Sequence, residues 1–182
     1  MREKAQVMTA EDIRRALIRI SHEILERNHQ SLADLALIGI KSRGDHLAQR
    51  IAKNLEQIEN IEIPVGAVDV YLYRDDVNLY NQGTKVNRTD IPFDVTDKRI
   101  ILVDEVLYTG RTTRAAMDAI TDFGRPAAIQ LAVLIDRGHR ELPIDADYVG
   151  KNLPTSRKEI VRVQLVEEQG VDSAVICEED AP

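Results

Sequence analysis

Ile100-Ile-Leu-Val-Asp-Glu-Val-Leu-Tyr-Thr-Gly-Arg-Thr-Thr113 is the stretch on which the reading of this chain turns. Four apolar residues of buried-strand type end in two adjacent acids, Asp104 and Glu105. Thr109-Gly110-Arg111-Thr112-Thr113 then leads into a helical pattern over Thr112–Asp122, stopped by Gly124 and Pro126 as helix ends usually are. In open α/β sheets ligands bind just beyond the carboxyl ends of the strands. Hydroxyls, a glycine and a helix N-terminus supply donors for a phosphate monoester, and the helix dipole favours its charge. Acids one strand-end away can accept hydrogen bonds from a sugar diol. Together these features predict a cradle for a ribose 5-phosphate. The plainer alternative is that Asp104 and Glu105 merely end a strand and Thr112 caps the helix. No Gly-x-x-x-x-Gly-Lys or Gly-x-Gly-x-x-Gly precedes a helix here, so neither a Walker loop nor a dinucleotide fingerprint is present.

Working outward, Leu35-Ala-Leu-Ile-Gly-Ile40 is a short apolar run of buried-strand length. It meets Lys41-Ser42-Arg43-Gly44, and a helix pattern follows through Leu47, Ile51, Leu55 and Ile58. Further strands are expected at Val65–Leu72 behind Pro64, at Ile129–Ile135, and briefly at Tyr148-Val149. Ile160–Leu165 and Ala174–Cys177 read as a closing antiparallel pair. Near the start, Thr9-Ala-Glu-Asp12 forms a capping pattern ahead of Ile13, Leu17, Ile20 and Ile24 at helical spacing. Buried strands alternating with amphipathic helices predict an α/β fold, a mainly parallel sheet with helices on both faces. The polar, aperiodic stretch 73–93 has the length of a functional lid.

Composition narrows the function. A chain of 182 residues is one domain's worth. Two Phe, five Tyr and no Trp argue against a stacking platform for single-stranded nucleic acid. The single cysteine, Cys177, excludes a disulfide framework and any zinc site with two thiolates. With no apolar run of membrane-span length and no signal-like N-terminus, a cytoplasmic protein is expected. Net charge is −7, of which the acidic C-terminal segment 166–182 carries −6, leaving −1 for residues 1–165. A general nucleic-acid binder would be far more basic.

The Asp104–Thr113 stretch resembles the phosphoribosyl-pyrophosphate (PRPP) signature of the type I phosphoribosyltransferases. Tyr71-Leu-Tyr-Arg-Asp-Asp76, Asp136-Arg-Gly-His-Arg-Glu-Leu-Pro143 and Asp147-Tyr-Val-Gly-Lys-Asn-Leu-Pro-Thr-Ser156 are similar to one branch of that family, the pyrimidine-operon attenuators that also act as uracil phosphoribosyltransferases. The resemblance implies a type I phosphoribosyltransferase fold with a small hood, and the conversion of uracil and PRPP to UMP and pyrophosphate. Asp104 and Glu105 would then hold the ribose hydroxyls near the developing positive charge. Tyr108, Thr109, Gly110, Arg111, Thr112 and Thr113 would bind the 5′-phosphate. Lys41, Ser42, Arg43 and Gly44 match the pyrophosphate loop, where the family has a non-proline cis peptide, here expected at Ser42–Arg43. Arg74, Asp75 and Asp76 open the mobile loop, on which Lys85 and Arg88 are candidate phosphate partners. Arg137, Tyr148 and Val149 match the base-binding region. No side chain is expected to ligate a metal directly; Mg2+ would be held mainly through PRPP and water. Purine enzymes commonly carry an acid where this chain has Tyr108, and an unperturbed Tyr is a poor proton acceptor at neutral pH. That favours a pyrimidine.

The same resemblance implies binding of pyrimidine-operon leader mRNA, modulated by UMP or UTP, by a homodimer or higher homo-oligomer. From the residues alone, Arg15, Arg19 and His22 form a basic stripe opposite the apolar face of the first helix. Acids at i, i+4 spacing explain the stripe equally well as a solvated helix with weak pairs. The resemblance adds Arg27, His139 and Lys151 to the proposed RNA face. It also exposes two departures: Asp145 stands where relatives have Arg, and Ile18 where they have Thr. An acid on a phosphate-binding surface removes a contact and adds repulsion. A regulator that senses nucleotides without converting them, and an enzyme that has lost RNA binding, are the alternatives.

Overall fold

A computed structural model describes residues 2–75 and 88–178. The chain opens with strand β1 (Arg2–Met8) and helix α1 (Ala10–Asn28), followed by β2 (Leu35–Ile40), α2 (Gly44–Glu59) and β3 (Val65–Val68). Next come β4 (Arg99–Leu107), α3 (Arg111–Thr121), β5 (Ala128–Asp136) and β6 (Tyr148–Asn152). The hood is completed by β7 (Glu159–Gln164), the single turn α4 (Val166–Gln169) and β8 (Ser173–Glu178). α1 begins where the sequence places its cap: Asp12 N donates to Thr9 Oγ1 at 3.2 Å and Thr9 N donates back to the Asp12 carboxylate at 2.9 Å.

The five strands β3-β2-β4-β5-β6 form a parallel sheet in that order, as the alternation of apolar runs and helices predicts. Alternate residues of β2 divide between two cores. Leu35 and Leu37 pack with α1 and α2 residues such as Ile13, Ile20, Leu47 and Ile51. Ala36, Ile38 and Ile40 pack on the other face with Ala116, Ala119 and Ile120 of α3. The three-stranded antiparallel hood, β1-β8-β7, joins the two ends of the described chain. The β7–β8 pair is expected from the sequence; β1 is not. The acidic segment 166–182 is no simple tail, because through Glu178 it builds α4 and β8. Arg50 of α2 ties it down, donating to Glu167 at 2.6 and 2.8 Å and to Asp172 at 2.8 Å. No helix among the described residues is long and apolar enough to cross a membrane.

Candidate active site

β4 delivers its carboxyl end to the centre of the sheet, between β2 and β5. The turn that follows opens into a cavity of about 410 Å³ lined by Tyr108, Thr109, Gly110, Arg111, Thr112 and Thr113, with Arg74 and Glu141 at its edge. Gly110 is the N-cap of α3 at φ +92°, a conformation that favours glycine, and no side chain caps this helix end. Of the first amides of α3, that of Arg111 donates over 3.4 Å to Thr109 Oγ1, and those of Thr112 and Thr113 are left for a ligand. Loop 141–144 props the turn from behind. The amides of Glu141 and Leu142 donate to the Thr109 carbonyl at 3.0 and 3.2 Å, and a Cβ on Gly110 would stand 3.3 Å from the Ile144 side chain. Arg111 is engaged at the rim by Asp75 at 2.7 Å and Glu141 at 2.8 Å. Glu141 belongs to a motif the sequence singles out, but nothing there assigns it to the cavity.

The two acids differ. Glu105 is partly exposed, 3.6 Å from Arg43. Asp104 is only 5% exposed, with its Oδ1 accepting from the Glu105 amide at 2.9 Å. The resemblance places both acids at the ribose hydroxyls; of the two, Asp104 lies beneath the surface. Burial, and then the neighbouring charge of Glu105, raise its pKa well above the usual carboxylate range, while the Arg74 charge opposes the shift.

Lys41–Gly44 crosses the end of β2 beside β4. A Cβ on Gly44 would lie 2.3 Å from the Val103 carbonyl, so only glycine lets this loop lie flat against the strand that carries Asp104. The loop does contain a cis peptide, but between Lys41 and Ser42 rather than Ser42 and Arg43. With no proline to mark it, its position within the loop leaves no trace in the sequence. Lys41 Nζ donates to the Arg88 carbonyl at 2.6 Å. Asp76 and Lys85, expected on the mobile loop, lie outside the described residues.

The three residues expected at the base lie in different surroundings. Tyr148 is 3% exposed and packs on the α1 side of the sheet. Its hydroxyl donates to Gln130 at 2.7 Å and accepts from Asn28 at 3.1 Å. With its ring almost wholly buried and its hydroxyl satisfied, Tyr148 serves here as a core residue, and burial raises its pKa. Val149, the next residue, packs on the opposite side of the sheet, with Ile144 and Val133. Arg137 is also buried. It donates to Thr155 Oγ1 and the Ser156 carbonyl, and its guanidinium carbon lies 4.0 Å from the centre of the Tyr108 ring. Desolvation lowers its pKa. Arg137 is thus a support for Tyr108, and His139 meets the same ring edge-on at 5.9 Å.

His139, also expected on the RNA face, has Nε2 2.6 Å from the Thr155 carbonyl and does not line the depression between α1 and β6. Arg15, Arg19 and Lys151 do converge, on a shallow depression of about 330 Å³ between α1 and β6. Each is already engaged: Arg15 with Glu11 at 2.8 Å, Lys151 with the Val7 carbonyl at 2.7 Å, and Arg19 with Glu23 at 2.7 Å and the Val149 and Gly150 carbonyls at 3.0 and 2.8 Å. Arg27 pairs with Asp147 at 2.6 Å, and His22 is exposed. Asp145 is 96% exposed, 3.8 Å from Arg140, while Ile18 faces the groove between α1 and α2.

A turn that opens into a cavity at the carboxyl edge of a parallel sheet, with two acids on the strand before it, is the architecture of a ligand site, and comparison with known proteins identifies its class. Residues 6–168 match the family model described as phosphoribosyl transferase domain, and the chain belongs to that family. At finer resolution it is 59% identical over 172 residues to the bifunctional protein PyrR of Roseiflexus sp. (strain RS-1), covering 94% of this chain and 93% of that protein. It is 58% identical over 176 residues to the bifunctional protein PyrR of Chloroflexus aurantiacus, covering 97% and 96%. Among solved structures, the hypoxanthine phosphoribosyltransferase of Trypanosoma cruzi superposes with a TM-score of 0.73 over 98% of both chains. At 18% identity that likeness establishes the fold.

Proposed function

We propose that this protein is a cytoplasmic uracil phosphoribosyltransferase, joining uracil to PRPP to give UMP and pyrophosphate, and that it also regulates pyrimidine-operon transcription by binding leader mRNA. The observation that carries the enzymatic reading is the open cavity at the Tyr108–Thr113 turn, with the uncapped α3 terminus facing it. The 5′-phosphate docks against those amides and the Thr hydroxyls. That anchors the pentose over the end of β4, where Glu105 accepts from a ribose hydroxyl. The buried Asp104 meets positive charge as it develops at the anomeric carbon. Its burial disfavours ionisation in the free protein, whereas a cationic centre favours it, so the interaction strengthens along the reaction coordinate.

The Lys41–Gly44 loop would take the pyrophosphate group, and Arg74 and Arg111 sit where they can add positive charge. Tyr108, braced by Arg137 and His139, fills the place of the acid that a purine enzyme would carry. Mg2+ fits as a partner of the substrate, an oxygen-seeking ion that keeps most of its waters, with partly exposed Glu105 the acid best placed to hold it through water.

Release of pyrophosphate should require uracil, PRPP and magnesium together. Folded protein that gives no turnover, yet binds UMP, would instead be a nucleotide sensor. Support for RNA binding is the depression that gathers Arg15, Arg19 and Lys151.

A further inference from the structure

Arg43 stands at the crossing of three elements. It belongs to the loop that would receive pyrophosphate, yet its guanidinium reaches two acids: Glu105 of β4 at 3.6 Å and Glu168 of α4, in the hood, at 3.7 Å. Both separations exceed hydrogen-bond length. Among the described residues, Arg43 Nε is the buried side-chain atom without a hydrogen-bond partner. A donor sealed from water and left unmatched is costly unless some ligand takes it up. Glu168 is similarly half-committed. Its Oε2 accepts from Gln169 Nε2 at 2.9 Å and its Oε1 lies 3.7 Å from His46 Nε2. The neighbouring hood acids are fully used, with Glu167 and Asp172 bonded to Arg50. Their task is to hold α4 on α2; Glu168 is not needed for that.

We propose that Glu168 is a positioning residue that competes with the pyrophosphate group for Arg43. It holds the guanidinium in reserve while the site is empty and draws it back when pyrophosphate departs. This inference rests on the pyrophosphate-forming reaction proposed above. A bound diphosphate supplies strong acceptors at short range, so Arg43 turns to it and leaves the loosely held carboxylates. Glu168, itself an anion facing the same group, keeps that exchange reversible. An acid of the hood thereby sets how tightly one product is retained without touching the sugar or the base.

The test is calorimetric titration of the intact protein with inorganic pyrophosphate, and separately with UMP, in magnesium-containing buffer. Glu168→Gln should tighten pyrophosphate binding by about three- to tenfold, the range expected for removing a partly screened charge contact, and leave UMP affinity unchanged. Asp172→Asn, which weakens the Arg50 clamp and the bond from the Val166 amide but leaves the Arg43–Glu168 contact in place, should alter neither. In an Arg43→Gln background the Glu168→Gln change should have no further effect on pyrophosphate. Unchanged or weaker pyrophosphate binding by Glu168→Gln overturns the proposal, as does a parallel shift for both ligands. If Glu168→Gln folds poorly, Glu168→Asp serves in its place: withdrawing the acid from Arg43 should tighten pyrophosphate by a smaller factor, and no change overturns the proposal. Failure of the wild-type protein to convert uracil would sink the underlying reaction instead, and is read in a separate turnover assay.

Discussion

The end of β4 and the corner between α1 and β6 are both rich in polar groups, but they dispose of them in opposite ways. At the end of β4 the fold holds groups back. The N-cap of α3 is a glycine with no side chain to cap it, Arg43 Nε lacks a hydrogen bond, and Asp104 is buried where ionisation is disfavoured. At the α1–β6 corner each converging cation is spent on the protein itself, on Glu11, on Glu23 and the Val149 and Gly150 carbonyls, or on the Val7 carbonyl. Binding at the first site completes interactions that folding leaves open. Binding at the second must exchange existing ones, so less free energy is gained per contact. The difference separates a site built for chemistry from a surface that can at most adapt to a partner.

The sharpest way to break this contrast is to remove the acids of the edge. Asp104→Asn with Glu105→Gln should lower kcat by at least about 100-fold in a uracil and PRPP assay. Stability should move the other way. Because the folded-state pKa of Asp104 lies above its unfolded value, its stabilising effect is fully present below the unfolded pKa of about 3.9 and is lost as pH rises through the folded pKa. Asp104→Asn alone should therefore match the wild-type melting temperature near pH 4 and exceed it at pH 7. A lower melting temperature at neutral pH would recast Asp104 as a structural acid.

Gly110→Ala should come next. The φ of +92° and the Ile144 side chain 3.3 Å from a new Cβ predict a loss of about 1–3 kcal/mol in denaturant titration, together with weaker UMP binding. The smallest effect is expected at the corner. Arg19→Gln with Lys151→Gln should weaken leader-RNA retention in gel shifts by about tenfold or less and flatten its salt dependence, with uracil turnover unaltered. A loss comparable to that at the β4 end would erase the distinction.

Much of the edge is legible in the chain. A continuous apolar strand, two acids and a Thr-Gly turn before a helix are local signals, and local signals survive without coordinates. The cap at Thr9 and the β7–β8 pair are legible for the same reason. β1 is not, since Arg2–Gln6 is largely exposed and shows no alternation; only pairing with β8 makes it a strand. The role of Tyr148 depends on Asn28 and Gln130, which lie far from it in sequence, and Arg137 reads as a ligand-binding cation until Thr155 and Ser156 claim its guanidinium. Likewise, nothing about Glu168 in an acidic stretch foretells that it reaches Arg43.

The ladder between β1 and β8 joins strands from opposite ends of the described chain, Arg2 facing Glu178. During synthesis β1 must therefore wait on the ribosome-tethered chain for its partner, while the parallel sheet over 35–152 already has its strands in hand. An unpaired strand is a liability over such an interval, and the charges of Arg2, Glu3 and Lys4 suit it to waiting without recruiting a neighbouring chain.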